Sequence, residues 1–358
     1  MSEGFRADES AGGHAVAGSI SEVQTTPGRH GWEPVHLPFK PRLRATNEAF
    51  AHPFEAVFAR LLTEYRVRWS YEPTTFPIRW DDQRRPVEFI TPDFYLPDHR
   101  LYVELTTMRQ RLVTRKHRKI RLLRAIYPNI RVKVLYRRDY VRLMLVHGGE
   151  AARADGEPGR MILDRETIAV RLDGLAQEIA RDLGGDSADP PLLLACGAGG
   201  RRVLDDLSSP LRAAGFAFDT AAVTVRNMSV GTAGPGGGVA IRLGSRQVSA
   251  HDLAGRRVLV VHGIVSSGLR AAHVARWLRR RGAREVQTLT CLDRRSARVV
   301  EVPLRYVGFD VPPDLLVGYG LDLRRSYRDA SFVATYSPFD GLVGDAKVSP
   351  GGPKPGSG

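Results

Sequence analysis

The sequence predicts an α/β protein of two folded units, a small α/β layer followed by a larger unit built on a parallel sheet. Three observations carry that expectation. The chain has 358 residues, 42% of them hydrophobic, which exceeds one ordinary domain and suffices to bury a core in each of two. The stretch 147–159, HGGEAARADGEPG, holds four glycines and no sustained apolar pattern, so it divides the chain as a linker. Beyond it, apolar runs alternate with helix-like segments, the pattern of parallel strands joined by crossover helices. The expected organisation is a disordered segment at 1–40, a first domain at 41–146, the linker at 147–159, a second domain at 160–337 and a disordered tail at 338–358.

In the first unit Phe50, Phe54, Val57, Phe58, Leu61, Leu62 and Tyr65 recur at helical spacing. Extended-looking segments follow at 67–72 and 86–96, then a strand LYVEL at 101–105. A basic helix from about Val113 to Ile126 leads into a strand, IRVKVLY, at 130–136. The second unit opens with a helix near 165–183 and continues with apolar runs at 192–196, 257–261, 285–292 and 315–320. There is no internal repeat.

The formal charge of +14 would point to a polyanionic partner, but 47 of the 53 basic residues are Arg, a composition that GC-rich coding also produces. Location is more telling than the total. Between Arg100 and Arg142 there are 14 Arg or Lys against two acids, Glu104 and Asp139, so one domain holds nearly the whole excess. On the basic helix Ile120, Leu122, Leu123 and Ile126 supply a buried side, and the cations crowd the rest without acidic partners one turn away, a pattern suited to phosphate contacts. The two cysteines, Cys196 and Cys291, lie inside apolar runs, which argues against a disulfide framework and for a reducing compartment. No apolar run approaches a membrane span, and the start MSEGFRADES lacks a secretory pattern, so the expected location is the cytoplasm and no membrane partner is expected.

The segment TPDFYLPDHRLYVELTT places Asp93 at the end of one strand and Glu104 within the next, with a turn around Pro97-Asp98-His99. Hairpin strands lie side by side, so the two carboxylates can approach, and a divalent cation would relieve their repulsion. Their ordinary reading is a turn-capping Asp beside proline and a solvated strand Glu. Together with Glu55 in the first helix, Pro92-Asp93 and Glu104-Leu105-Thr106 resemble the PD-(D/E)XK nuclease superfamily over roughly residues 45 to 145. The resemblance implies that Glu55, Asp93 and Glu104 serve a metal, Mg²⁺ or Mn²⁺, and that a Lys orients the attacking water. Thr106 stands where that Lys belongs; Lys116 or Lys119 on the following helix are the replacements the resemblance allows.

In the second unit VLVVHGIVSSG at 258–268 ends a run of β-formers in small residues and then starts a helix at Leu269, the frame of a phosphate-binding loop. With VPLRYVGFDVPPDLLVGYGLDLRRSYRDASFV and the opening helix IAVRLDGLAQEIARDL, this stretch resembles the hypoxanthine phosphoribosyltransferase family from Met161 to about Phe332. That family moves a phosphoribosyl group from phosphoribosyl pyrophosphate to a purine with magnesium. The resemblance implies a 5′-phosphate cradle at Ser266, Ser267, Gly268, Leu269 and Arg270, and purine or pyrophosphate contacts at Arg294, Leu316, Asp322 and Arg328, with Asp322 a metal ligand. The family's acidic pair on the ribose hydroxyls is replaced by His262 and Gly263, and its proton-handling Asp by Ser266. Its pyrophosphate loop reads Gly197-Ala198-Gly199-Gly200 without a cation, its stacking aromatic falls near Leu315, and its mobile loop reads Ser229-Val230-Gly231 without a Tyr.

Three functions fit these residues. The first is a nucleic-acid-binding, metal-dependent nuclease-like unit joined to a catalytically impaired domain that binds a nucleotide or a phosphoribosyl pyrophosphate-like ligand. The second is an active purine phosphoribosyltransferase, and the third a binding scaffold without catalysis. The oligomeric state is left open.

Overall fold

A computed structural model describes residues 35–36, 50–106, 110–147, 158–184, 189–228, 238–244, 253–321 and 327–336. The expected disordered ends apart from Val35–His36, most of the linker, Asp322 and the Ser229-Val230-Gly231 loop lie outside the described residues, and Val35–His36, expected to be disordered, form a strand. A two-residue strand, β1 (Val35–His36), pairs with a later strand of the first unit.

That unit begins with α1 (Pro53–Glu64), whose proline at the first turn needs no hydrogen-bond acceptor and whose Glu55 carboxylate accepts the N–H groups of Ala51 and His52. Next come β2 (Ser70–Tyr71), β3 (Thr74–Trp80), β4 (Pro86–Ile90), β5 (Phe94–Leu96), β6 (Leu101–Thr106), α2 (Gln110–Ile126), β7 (Arg131–Tyr136) and α3 (Arg137–His147). One sheet runs β2-β5-β6-β7, antiparallel except for the parallel pair β6 and β7, and a smaller one runs β1-β3-β4. Phe58, Leu62, Phe94 and Val103 pack under α1, while Ile120 and Leu123 of α2 meet Phe76, Ile78 and Tyr102 on the opposite side.

The extended segment expected at 86–96 is two strands, because Pro92 has no N–H to donate to a ladder and the chain changes partners there, β4 pairing with β3 and β5 with β6. The strand β3 and the helix α3 were not anticipated. The latter ends at His147, so this residue, assigned by sequence to the linker, is the buried last residue of a helix.

The second unit comprises β8 (Pro158–Leu163), α4 (Arg165–Leu183), β9 (Leu192–Cys196), α5 (Gly197–Ala213), β10 (Asp219–Met228), β11 (Gly238–Gly244), β12 (Arg257–Val265), α6 (Leu269–Arg279), β13 (Glu285–Asp293), β14 (Tyr306–Asp310), β15 (Leu315–Val317) and β16 (Val333–Tyr336). Its main sheet has the order β11-β10-β9-β12-β13-β14, parallel throughout except for β11. Both faces are covered. Leu193 and Ala195 of β9 point to α4 and α5, and the alternate residues Leu192, Leu194 and Cys196 point toward Val274 and Leu278 of α6. A small antiparallel sheet, β15-β16-β8, joins the two ends of this unit. The run expected as a strand over 315–320 is extended only to Val317, because Gly318, Tyr319 and Gly320 all take positive φ.

The units share a core. Leu269, Val299 and Val300 of the second unit are buried in the same cluster as Phe58, Leu105 and Leu143 of the first, and each such side chain contributes about 1.5–3 kcal/mol. Helix α1 ends against the second unit as well: the Tyr65 carbonyl, an acceptor left over at its C-terminal cap, receives Nη2 of Arg276 at 2.5 Å and faces Nδ1 of His273 at 3.3 Å.

Candidate functional site

Two groups of chemistry-bearing residues emerge, one in each unit. In the first, the register Phe94 opposite Val103 sets Asp93 across from Glu104, and both are buried. The Leu105 N–H donates to Oδ2 of Asp93 at 2.6 Å, while Lys116, one turn and a half into α2, forms an ion pair with Oε1 of Glu104 and donates to the Leu105 carbonyl at 3.3 Å. Oε2 of Glu104 has no hydrogen-bond partner among the described residues. Burial, then the neighbouring Glu104, pushes the Asp93 carboxyl up to about 7, and burial raises Glu104 against the pull of Lys116.

The other expected members sit differently. Glu55 is occupied as a cap, accepting also from the Tyr71 hydroxyl at 2.7 Å, although its charge is felt by both Asp93 and Glu104. Lys119 points away and donates to the Phe89 carbonyl at 2.8 Å, so only Lys116 reaches the carboxylates. Among the described residues no three His, Cys, Asp or Glu side chains gather as a metal cluster. The basic helix is also less unpaired than its sequence implies, since Glu88 of β4 takes Arg118 at 2.6 Å and β6 supplies Glu104 to Lys116. Helical spacing could not reveal partners that arrive from strands.

In the second unit the loop after β12 bends at Gly268, whose φ of 82° and whose would-be Cβ, 2.1 Å from the Val300 carbonyl oxygen, admit only glycine. The Ser267 carbonyl receives the N–H groups of Val299 and Val300, and α6 starts at Leu269, leaving first-turn N–H groups free of intrahelical acceptors. The Ser267 hydroxyl faces Nε2 of His147 at 2.9 Å, and the Tyr65 hydroxyl faces Nδ1 of the same ring at 2.9 Å. Burial, aided by Arg270, drives the His147 imidazole down to about 3, so a neutral ring links the end of α1 to the loop after β12.

The positions that carry acids in the resembled family are closed. His262 is buried and pushed down to about 3 by burial and by Arg270, hence neutral. At Gly263 a Cβ would come within 2.7 Å of the Gly199 Cα, and at Gly320 within 2.8 Å of the same atom; three backbones cross where side chains would be needed. Among the described residues the Ser266 hydroxyl meets no base, only Nη1 of Arg294 at 3.4 Å, while its carbonyl accepts from Nη1 of Arg298 at 2.7 Å. Arg294 is 3% exposed, and burial, followed by the nearby Arg142, lowers its guanidinium to about 10. Leu315 and Leu316 are buried in β15, Arg328 accepts the Gly320 N–H through its carbonyl, and Arg270 faces inward toward Tyr65, His147 and His262. Burial raises Cys196 to about 11 and Cys291 to about 12, so neither is a nucleophile at neutral pH. Tyr65, Arg142 and His147 were missed as site residues, since no sequence period places the first unit against the loop of the second.

The model of the phosphoribosyl transferase domain matches residues 159–322. The hypoxanthine-guanine phosphoribosyltransferase of Mycobacterium avium is 33% identical over 186 residues, 51% of this chain and 88% of that protein. That of Mycobacterium tuberculosis is 31% identical over 194 residues, 53% of this chain and 92% of the relative. A solved hypoxanthine phosphoribosyltransferase from Trypanosoma cruzi, in complex with the product IMP, is 25% identical with a TM-score of 0.45, covering 52% of this chain and 98% of its own. Through its second unit, the chain belongs to the hypoxanthine-guanine phosphoribosyltransferase family.

Proposed function

We propose that the first unit contacts nucleic acid and cuts it with a divalent cation, and that the phosphoribosyltransferase-type unit binds a nucleotide or related phosphate ligand without turning it over. The observation that carries the first half is the pairing of buried Asp93 and Glu104 with the half-buried Lys116. The donor set fits a hard cation: two carboxylates face each other across a hairpin, one oxygen of Glu104 lacks a partner, and burial disfavours their joint ionisation. Asp93 and Glu104 would hold Mg²⁺ or Mn²⁺, which when bound supplies charge to polarise a phosphodiester and acidify a water. Lys116 keeps a positive charge at Glu104 and stands ready to orient a water. Exposed cations of α2, Arg115 and Arg121 among them, give the backbone of a nucleic acid a positive surface.

The second half rests on His262, Gly263 and Ser266. A neutral imidazole and a glycine offer no anionic grip for ribose hydroxyls, and a serine without a base is a poor proton acceptor. If the lost ribose grip and the lost proton acceptor are each worth about a hundredfold, the barrier rises by roughly 5 kcal/mol. The phosphate loop survives because its work falls to main-chain N–H groups.

Full-length protein incubated with DNA or RNA is expected to cut one of them only with Mg²⁺ or Mn²⁺, and Asp93→Ala to abolish the cutting. Metal-independent cutting, or an unaffected variant, refutes the nuclease reading. Binding that weakens with salt while the nucleic acid stays intact would instead favour a scaffold. The activity named for the mycobacterial relatives is the second reading, supported by their 31–33% identity. Labelled hypoxanthine or guanine with phosphoribosyl pyrophosphate and Mg²⁺ decides it, since nucleotide formation at ordinary enzyme rates is incompatible with an impaired site.

A further inference from the structure

A small cleft, with about 30 Å³ of enclosed space behind an open mouth, lies where the two units meet. One wall comes from the end of β7 and from α3, with Leu135, Arg142 and Val146; the other comes from the second unit, with Ser266, Ser267 and Arg294. Two guanidiniums therefore share one cleft, with Asp139 of its lining and Asp314 as their counter-charges. Arg294, almost wholly buried, has a single long hydrogen bond to Ser266 through Nη1 and none through Nε among the described residues. Arg142 likewise has no partner for Nε, and its two acids stand off at 3.7 Å for Asp139 and 3.6 Å for the half-exposed Asp314, both beyond hydrogen-bond distance. Burial, and then the neighbouring Arg142, lowers the Arg294 guanidinium against the pull of Asp314.

We propose that this cleft is a composite phosphoryl site, in which Arg142 of the first unit and Arg294 of the second clamp one phosphoryl group of a nucleotide beside the hydroxyls of Ser266 and Ser267. The inference rests on reading the second unit as a nucleotide binder, and it adds that the site is incomplete without the first unit. A neutral purine, one of the contacts the family resemblance implies for Arg294, accepts a hydrogen bond but carries no charge to set against two guanidiniums. A phosphoryl dianion does both, and guanidiniums match its oxygens in pairs. Leu135, Leu143, Val146 and Val299 give the rest of the ligand an apolar wall. Because His147 links the same loop to Tyr65, a ligand here touches the element that joins both units.

Calorimetric titration of the full chain with guanosine 5′-monophosphate and with inorganic pyrophosphate tests this. Arg142→Ala is expected to weaken at least one of them tenfold or more, with Arg142→Lys intermediate because it keeps the charge and loses the paired geometry. Asp314→Ala, which frees Arg142 without touching the core, is expected to tighten the same probe by about threefold. If both probes bind equally well to wild type, Arg142→Ala and Asp314→Ala, the composite site is overturned while a nucleotide site confined to the second unit stands. Failure of wild type to bind either probe overturns both.

Discussion

The carboxylate hairpin of the first unit and the phosphate loop of the second both sit at strand ends, yet their environments have opposite consequences. At the hairpin, Asp93 and Glu104 are buried beside one another with Lys116 as the nearest counter-charge, an arrangement that is unfavourable for folding and leaves an oxygen of Glu104 without a partner. At the loop, the titratable side chains are replaced by a neutral imidazole and by glycines whose backbones touch, which is favourable for packing and removes reactive groups. Under the function proposed above, the buried carboxylates suit the first to chemistry and the close-packed backbone suits the second to binding.

The sharpest way to break that contrast is to remove the counter-charge. Lys116→Met leaves two buried carboxylates facing each other and is expected to destabilise the fold by about 3–5 kcal/mol at neutral pH, read by urea unfolding. A change below 1 kcal/mol would mean that the carboxylates are already protonated or solvated.

A smaller effect is expected from restoring an acid to the second unit. Gly263→Asp must push its Cβ into Gly199, so it should destabilise by about 1–3 kcal/mol and yield no transferase activity. Gain of nucleotide formation would show that the crossing of backbones yields easily. His147→Ala deletes the ring between Tyr65 and Ser267 and should cost about 1–3 kcal/mol, with loss of the protection of amides at both contact points in hydrogen exchange.

The smallest effect sharpens the first half of the comparison. The Asp93 pKa is raised on folding to about 7, so the folded state holds the proton more tightly than the unfolded chain, and stability falls as pH rises from about 4 through about 7. Asp93→Asn lacks this loss. Its melting temperature is expected to exceed that of wild type at pH 8 without divalent ions, and the gap to close toward pH 4. A gap independent of pH would place the titrating group elsewhere.

Much of this layout was legible in the chain itself. The hairpin pairing of Asp93 with Glu104 followed from two strands and a Pro-Asp turn, and the phosphate loop followed from an apolar run ending in small residues at Gly268. Lys116 could be narrowed to a pair with Lys119 but not chosen, because both lie on one helix and only packing decides which reaches β6. Arg118 seemed unpaired because its partner, Glu88, is 30 residues away on a strand.

Residue order alone determined the alternation of strands and helices, the location of the positive charge and the absence of acids at His262, Gly263 and Ser266, since periodicity, charge and side-chain identity are local properties. Tertiary structure alone decided that His147 belongs to a helix and touches Ser267, that Gly199, Gly263 and Gly320 converge, and that Arg142 faces Arg294. Those juxtapositions join residues up to 152 positions apart, as with Arg142 and Arg294, and they follow from how Leu269, Val299 and Val300 of the second unit enter the core of the first rather than from any local pattern.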